Sequence, residues 1–177
     1  MGGHKELEEG ATLTLDWGKL DKVASKRCNV VPVVVQDSTS GAVLIAAYCN
    51  EVALAESFKR RVCCLWSTSR NELWVKGATS GDVLELDEVR VNCEQNSLLF
   101  LVTPRCKGAC HTKDSTGASR VSCYYRQVTL SNGNFSLVHA NGCAANSRCT
   151  VSFWSAIGVA AVSMVAASVA TARWLRK

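Results

Sequence analysis

The sequence has few of the residues that mark fibrous, disordered or disulfide-stapled chains. Among its 177 residues there are 2 prolines and 12 glycines, which excludes a collagen-like or low-complexity chain. Its 10 cysteines exceed the average but are too sparse for a disulfide scaffold. The length suits one domain with a hydrophobic core and short appendages.

A strong charge imbalance is also missing. The net charge is +5, and the basic residues are scattered along the chain rather than grouped in a stripe. This charge suits an anionic partner such as a phosphate ester or a membrane surface, but it does not choose among them. Because no basic patch is evident, we predict no nucleic-acid binding.

The amino-terminal stretch lacks the apolar core of a secretory signal. It reads MGGHKELEEGATLTLDW, which is polar and acidic. We therefore expect a cytosolic, reduced setting for the domain. In that setting cysteines are metal ligands or small core residues more often than disulfide partners.

From Val30 onward the pattern indicates a small α+β domain that is strand-rich and mainly antiparallel. VVPVVVQD and AVLIAAY flank the turn STSG and predict a hairpin. NEVALAESFKRR predicts a helix with Asn50 as its N-cap, and a short helix is expected around Leu15–Val23. Further strand-like runs cover residues 62–69, 72–77, 82–94 and 97–103, and SNGN predicts a turn at 131–134.

The carboxyl-terminal segment is free of charge from Phe153 to Ala172 and is followed by Arg173. That length can span a bilayer, and Trp154 and Trp174 stand at interfacial positions. The segment predicts a C-terminal hydrophobic helix that anchors the chain by its tail in a mitochondrial or peroxisomal type of membrane. The alternatives are an alanine-rich helix packed on the domain and a soluble cytoplasmic protein.

Three cysteines in polar surroundings, Cys93, Cys110 and Cys123, are candidate zinc ligands. Three thiolates with a fourth position left to water form a catalytic type of zinc site. The chain has no CxxC pair, so the spacing alone leaves the site open. His111, next to Cys110, is either a proton shuttle or an ordinary loop histidine. Cys106 remains ambiguous, and the cysteines in apolar runs are expected in the core: Cys28, Cys49, Cys63 and Cys64.

A second candidate metal site lies around Cys93. On a strand, Asn92, Glu94 and Asn96 would share one face and could offer oxygen atoms to Mg²⁺ or Ca²⁺. With a single carboxylate the set is poor for Mg²⁺, and a solvated polar face is the alternative.

The stretch WSTSRNELWVKGATSG combines cationic and hydroxyl groups with tryptophans. Arg70 and Lys76, with the backbone around Thr79, Ser80 and Gly81, could hold a phosphate, and an indole could stack on a base. The alternative is an exposed hairpin.

Taken in order, these segments resemble the phosphoribosyl-AMP cyclohydrolase family of histidine biosynthesis. The resemblance covers about residues 28–128 and rests on VPVVVQD, GAVLIAAYCNEVAL, WSTSRNELWVKGATSG, VRVNCEQNSLLFLV, GACHT and SCYYR. It implies a zinc-dependent hydrolase that opens the adenine ring of phosphoribosyl-AMP at the N1–C6 bond. It also implies an intertwined homodimer whose zinc sites cross the interface, with Cys93 shared between subunits and Cys110 and Cys123 completing the ligands.

By position, the resemblance assigns His111 as the catalytic histidine and puts five residues near the nucleotide and its phosphates: Arg70, Lys76, Thr79, Ser80 and Gly81. The chain departs from the family where three aspartates bind Mg²⁺, because Asn92, Glu94 and Asn96 stand there, and Ala78 replaces a glutamate. KDSTGAS is an insertion between Cys110 and Cys123.

Two functions follow from these observations. One is a working zinc enzyme of this family. The other is a catalytically degenerate, membrane-tethered protein that keeps zinc and binds a nucleotide or a protein partner. The corresponding division of the chain is an extension (1–27), the cyclohydrolase-like domain (28–130), a linker (131–150) and the tail anchor (151–173).

Overall fold

The described part of the chain is built mainly from antiparallel strands with few helices. The computed structural model describes residues 4–13, 15–106 and 108–140. Its helices are α1 (His4–Glu9), α2 (Lys19–Ser25) and α3 (Glu51–Arg60). Its strands are β1 (Val31–Asp37), β2 (Val43–Cys49), β3 (Cys64–Ser67), β4 (Glu72–Val75), β5 (Leu84–Val91), β6 (Leu98–Pro104), β7 (Arg126–Ser131) and β8 (Asn134–His139).

The central sheet has the order β2-β1-β6-β5. The outer pairs β1–β2 and β5–β6 are antiparallel, whereas β1 and β6 run parallel. The middle strands β1 and β6 each supply two side chains of the buried core, Val33 and Val35 from β1 and Phe100 and Val102 from β6. Burial on the middle strands explains their β-branched and aromatic composition.

The first hairpin is confirmed as the sequence predicts it. Asp37 accepts the backbone N–H of Gly41 and of Thr39, the latter through Oδ1, and so closes the turn. Gly41 has a φ of 73°, which glycine adopts without strain.

Helix α3 is also confirmed, with Asn50 as its N-cap. The Asn50 side chain accepts the backbone N–H of Ala53 at 2.9 Å, which satisfies one of the unpaired donors of the first turn. The helix contacts β3, and Ser57 Oγ donates to Cys64 O across this contact. Cys49, Cys63 and Cys64 are fully buried as expected, but Cys28 is only half-buried.

Four segments differ from the sequence-based expectation. Strand β5 ends at Val91 rather than at Glu94, because residues 92–97 form a turn in which Gln95 has a φ of 54°. Helix α2 starts at Lys19, later than expected. Helix α1 arises within the amino-terminal extension, and β8 arises within the segment assigned to a linker. The segments that contain α1 and β8 are hydrogen-bonded to each other.

The tail anchor lies outside the described residues, which end at Ala140. Within residues 4–13, 15–106 and 108–140, no helix is long and apolar enough to cross a membrane.

Candidate active site

An open cavity of about 380 Å³ lies between the β3–β4 hairpin, the loop that follows it, and the segment around His111. Its walls contain most of the predicted substrate-binding residues together with one predicted zinc ligand. The lining residues that matter here are Arg70, Trp74, Lys76, Thr79, Ser80, His111 and Cys123.

The loop from Lys76 to Ser80 owes its shape to Gly77. Gly77 has a φ of 85°, and a Cβ there would lie 2.3 Å from the backbone of Asp82. Gly77 O accepts the N–H of Gly81 at 2.8 Å, which closes the loop. The loop therefore requires glycine at this position, and it presents Thr79 and Ser80 to the cavity.

Lys76 carries the charge of this cavity. It is 4% exposed, yet within the described chain its ammonium has no hydrogen bond or ion pair, and it lies on the cavity wall. An ammonium that borders a cavity and has no partner in the described chain is placed to bind an anion. Burial raises the pKa of the Cys63 thiol and the hydrogen bond with Cys110 raises that of Cys123, and the positive charge of Lys76 opposes both shifts.

The segment from Gly108 to Thr112 lies against residues 119–121 and so brings two distant cysteines together. Cys110 N donates to Arg120 O at 3.0 Å, and a Cβ on Gly108 would lie 2.3 Å from Ser119 O. The insertion between the cysteines closes on itself, since Asp114 Oδ1 accepts from Thr116 N and Ala118 N. It therefore leaves Cys110 and Cys123 adjacent.

Cys110 and Cys123, the thiol pair, lie close enough for each thiol to shift the pKa of the other. The hydrogen bond from Cys123 lowers the pKa of Cys110 to about 5, although burial acts in the opposite direction. The same hydrogen bond, with burial, raises the pKa of Cys123 far above its usual value. The pair is thus a thiolate and a thiol, which are soft ligands suited to zinc.

Thr112 is a neighbour of the thiol pair that the sequence analysis did not name. Its Oγ1 lies 3.1 Å from Cys110 Sγ, and it adds to the lowering of the Cys110 pKa. The signal was present, because residues two apart on an extended segment point to the same side. Ser67 and Ser69, which the sequence analysis did not name, also line the cavity.

His111 lies at the rim of the cavity, where it meets the amino-terminal segment. Its Nε2 is 3.0 Å from Glu8 Oε1. The segment is held by backbone contacts: Tyr125 Oη donates to Glu8 O at 2.6 Å, and Arg126 donates to Leu7 O at 2.6 Å and to Gly10 O at 3.1 Å. Leu137 N also donates to Ala11 O, which joins the segment to β8.

Cys93 does not join the thiol pair in the described chain. It is exposed in the turn after β5, and no group of three His, Cys, Asp or Glu residues suited to a metal occurs in the described ranges. A single chain therefore offers zinc two of the three expected thiolates. Cys106 is exposed as well, and its thiol donates to Gly81 O at 3.7 Å.

Asn92, Glu94 and Asn96 do come together, but in the turn and through hydrogen bonds to one another. Asn92 Nδ2 donates to Asn96 Oδ1 at 2.8 Å, and Asn96 Nδ2 donates to Glu94 Oε2 at 2.9 Å. Asn92 Oδ1 accepts the backbone N–H of Asn96 and of Ser97. Because amide donors occupy these oxygens, the set does not fit Mg²⁺, which prefers carboxylates and water.

Gly81, the two tryptophans and Arg70 of the predicted substrate site differ in their position relative to the cavity. Gly81 does not line the cavity; its φ of 81° serves the turn instead. Of the two tryptophans in the stretch, Trp74 lines the cavity, whereas Trp66 Nε1 donates to Asn71 Oδ1. Arg70 lines the cavity while paired with Glu72.

The cavity combines a buried lysine, hydroxyl groups, a histidine and the thiol of Cys123, a set of groups typical of enzymes that bind anionic substrates. The profile of a protein family described as phosphoribosyl-AMP cyclohydrolase matches residues 45–125. The phosphoribosyl-AMP cyclohydrolase of Chloroherpeton thalassium is 37% identical over 123 residues, covering 70% of this chain and 83% of that protein. The protein of the same name from Chlorobium chlorochromatii is 40% identical over 110 residues, covering 62% and 75%.

A third relative, the histidine biosynthesis bifunctional protein HisIE of Photobacterium profundum, is 41% identical over 91 residues. That match covers 51% of this chain and 41% of the relative. The chain belongs to the phosphoribosyl-AMP cyclohydrolase family, which is a family of enzymes. The resemblance stated from the sequence motifs is thereby confirmed.

Proposed function

We propose that this protein hydrolyses phosphoribosyl-AMP at the N1–C6 bond of the adenine ring, as a step of histidine biosynthesis. What carries the proposal is the single cavity in which Lys76, Thr79 and Ser80 lie with His111 and Cys123. In this reaction the oxygen of water bonds to C6 and the N1–C6 bond breaks. C6 becomes the carbonyl carbon of a carboxamide with the former exocyclic nitrogen, and the two hydrogens of the water end on that nitrogen and on N1.

The buried Lys76 and the hydroxyls of Thr79 and Ser80 would bind phosphate oxygens, with Arg70 at the outer edge. Trp74 offers a flat apolar face for the base. His111, at the rim, would remove a proton from the attacking water and return one to N1. Hydroxyl and cationic donors of this kind favour a substrate with two phosphate groups over a neutral nucleoside.

The donor chemistry of Cys110 and Cys123 fits zinc, because one thiolate is already present and the remaining proton is released when a metal binds. We propose Cys93 of the partner subunit in a homodimer as the third ligand. Zinc at this place would supply a Lewis acid that activates water near neutral pH. Thr112 would hold Cys110 in its ligating orientation. We propose Mg²⁺ as at most a weak additional ion, held with help from substrate phosphate.

The first test uses the purified full-length chain in mild detergent. Zinc is counted by mass spectrometry, and ring opening is followed by absorbance with phosphoribosyl-AMP. We expect one zinc per chain and turnover that is lost in Cys110→Ser and His111→Ala. A protein fully loaded with zinc and without turnover would contradict the proposal.

The shared ligand has its own test. Chains carrying Cys93→Ser and chains carrying Cys110→Ser are each expected to be inactive. Co-expressed, they would form a mixed dimer in which one site is intact, with Cys110 and Cys123 from one chain and Cys93 from the other. Recovery of roughly a quarter to a half of the wild-type activity supports an interfacial site. No recovery in a verified mixed dimer argues against it.

The amide cluster at Asn92 and Asn96 is the observation that favours the second function, a catalytically degenerate protein that keeps zinc and binds a nucleotide or a protein partner. Tight binding of phosphoribosyl-AMP without turnover would establish it.

For the tail, we propose membrane anchoring through 151–173. A soluble reporter fused to residues 148–177 should then fractionate with membranes, and a reporter that stays soluble would exclude the anchor.

A further inference from the structure

We infer that Glu8, from the amino-terminal segment outside the family match, is a positioning residue that fixes the orientation and tautomer of the His111 ring. The inference rests on the proposed function for its catalytic consequence. Its structural part, the control of the ring by Glu8, can be measured without turnover.

The contact itself carries the first step. Glu8 Oε1 lies 3.0 Å from His111 Nε2. An ionised carboxylate only accepts hydrogen bonds, so Nε2 carries the proton in the neutral ring. Nδ1 is then the nitrogen that accepts a proton, and the side chain cannot turn over without losing this bond. A histidine on a loop with its side chain 69% exposed has little else to fix its ring.

The docking of the segment carries the second step. Tyr125 and Arg126 bind the backbone carbonyls of Leu7, Glu8 and Gly10, and none of these contacts uses the Glu8 side chain. Arg120 also pairs with Glu9 at 3.1 Å. The backbone of the segment is therefore held in place by Tyr125 and Arg126, with Arg120 on Glu9, and in this position Glu8 Oε1 meets His111 Nε2.

The position of the segment argues for support rather than for blockage. Glu8 and its neighbours are not among the lining residues of the cavity, whereas His111 is. Glu8 thus reaches the imidazole from outside the cavity and leaves the substrate space clear. This is the arrangement in which a carboxylate orients a catalytic or ligating histidine.

The pair contributes little to stability, because Glu8 and His111 have side chains 31% and 69% exposed. Glu8→Gln keeps the size of the side chain and every backbone anchor, so the segment stays docked. We expect kcat to fall by roughly tenfold with KM and Tm unchanged. Glu8→Asp should recover part of kcat, because it restores a carboxylate on a shorter side chain.

The matched control is Glu6→Gln, which removes a carboxylate from the same helix without a contact to His111. We expect wild-type kinetics. A kcat of Glu8→Gln equal to that of Glu6→Gln overturns the inference. A higher kcat in Glu8→Gln also overturns it, because it means that Glu8 restrains the site.

The independent readout is the ring of His111 in nitrogen-detected NMR, which is simple to assign because the chain has 3 histidines. In the wild type we expect the tautomer with a proton on Nε2, and in Glu8→Gln a mixture of both tautomers. Identical His111 spectra in the two proteins overturn the inference even if turnover is absent. A clear tautomer change without turnover keeps the positioning role and instead contradicts the proposed function.

Discussion

Asn92 and Asn96 hydrogen-bond each other through their side-chain amides, with Asn92 Nδ2 donating to Asn96 Oδ1 at 2.8 Å. Three carboxylates in such a turn would repel one another and require a cation. Here each amide offers N–H donors as well as an oxygen, so Glu94 is satisfied by Asn96 Nδ2. The side chains of this turn thus satisfy one another's hydrogen bonds, with two neutral amides and one carboxylate and no need for a cation.

We therefore predict that added Mg²⁺ leaves the Tm of the wild-type protein unchanged while its zinc content is held constant. The double variant Asn92→Asp with Asn96→Asp should lose roughly 1–3 kcal/mol without Mg²⁺, because the amide donors become repelling carboxylates, and should regain it with Mg²⁺. Thermal denaturation measures both. A wild-type Tm that rises with Mg²⁺, and no longer does so in Glu94→Gln, would contradict the prediction.

The thiol pair predicts a pH dependence for the metal-free protein. The pKa of Cys110 lies at about 5 in the folded state, below its ordinary value, so ionised Cys110 stabilises the fold at high pH. This contribution decreases as the pH falls from about 9 towards 5 and is absent below that range. Thiolate absorbance at 240 nm should show one cysteine ionising near pH 5.

Cys123→Ala serves as the test of the cause, because the hydrogen bond from Cys123 has the largest effect on Cys110. In that variant the transition should move to higher pH. Thr112→Val should move it in the same direction by less, and Thr112→Ser should leave it in place because the hydroxyl remains. A transition near pH 5 that persists in Cys123→Ala would show that the pair does not share a proton.

We predict that the Lys76 side chain contributes to substrate binding but not to the stability of the fold. Replacing it with methionine keeps the apolar stem of a side chain that is 4% exposed and removes a charge that has no hydrogen-bonded partner in the described chain, so the free energy of unfolding should stay equal or rise. KM for phosphoribosyl-AMP should increase roughly 10–100-fold through the lost phosphate contact. Lys59→Met, on the exposed face of α3, is the matched control with no expected change. An unaltered KM in Lys76→Met would remove the lysine from the substrate site.

Gly77 and Gly81 predict different costs for the same substitution. Both have positive φ, but only a Cβ on Gly77 would meet backbone, 2.3 Å from Asp82, whereas nothing lies within 4 Å of Gly81. Gly77→Ala should therefore destabilise by more than about 2 kcal/mol and Gly81→Ala by about 1 kcal/mol. Urea denaturation compares them, and equal losses would mean that backbone conformation alone sets the cost.

The sequence predicts the parts of the fold whose cause is local. Asn50 caps its helix and Gly41 turns its hairpin because each acts within a few residues. The alternating pattern of Val89 and Val91 continues through residues 92–94, so the sequence predicts a strand there. Period-two spacing is the same in a strand and in a turn, and the structure has a turn. The outcome depended on side-chain amides that bond back to the turn, which the spacing does not reveal.

Only those residues of the candidate site that lie in a family motif were predictable from the sequence. The thiol pair and Lys76 were identified from family motifs, and they lie where one cavity can use them. Glu8 was not predictable in this way, because its approach to His111 depends on Tyr125 and Arg126, more than a hundred positions further along. Contacts at such separation follow from tertiary docking rather than from any local pattern.

The contacts of α1 also determine the order in which the parts of this domain can assemble during synthesis. A chain leaves the ribosome from its amino end, so α1 emerges long before Tyr125 and Leu137, whose groups bind its segment. The β1–β6 sheet can form in that interval without it, since its strands precede Tyr125. A nascent fragment that stops at Cys123 would hold both thiols of the pair but leave His111 without its carboxylate. The segment around α1 therefore docks onto His111 only after the central sheet and the region around Tyr125 have been made.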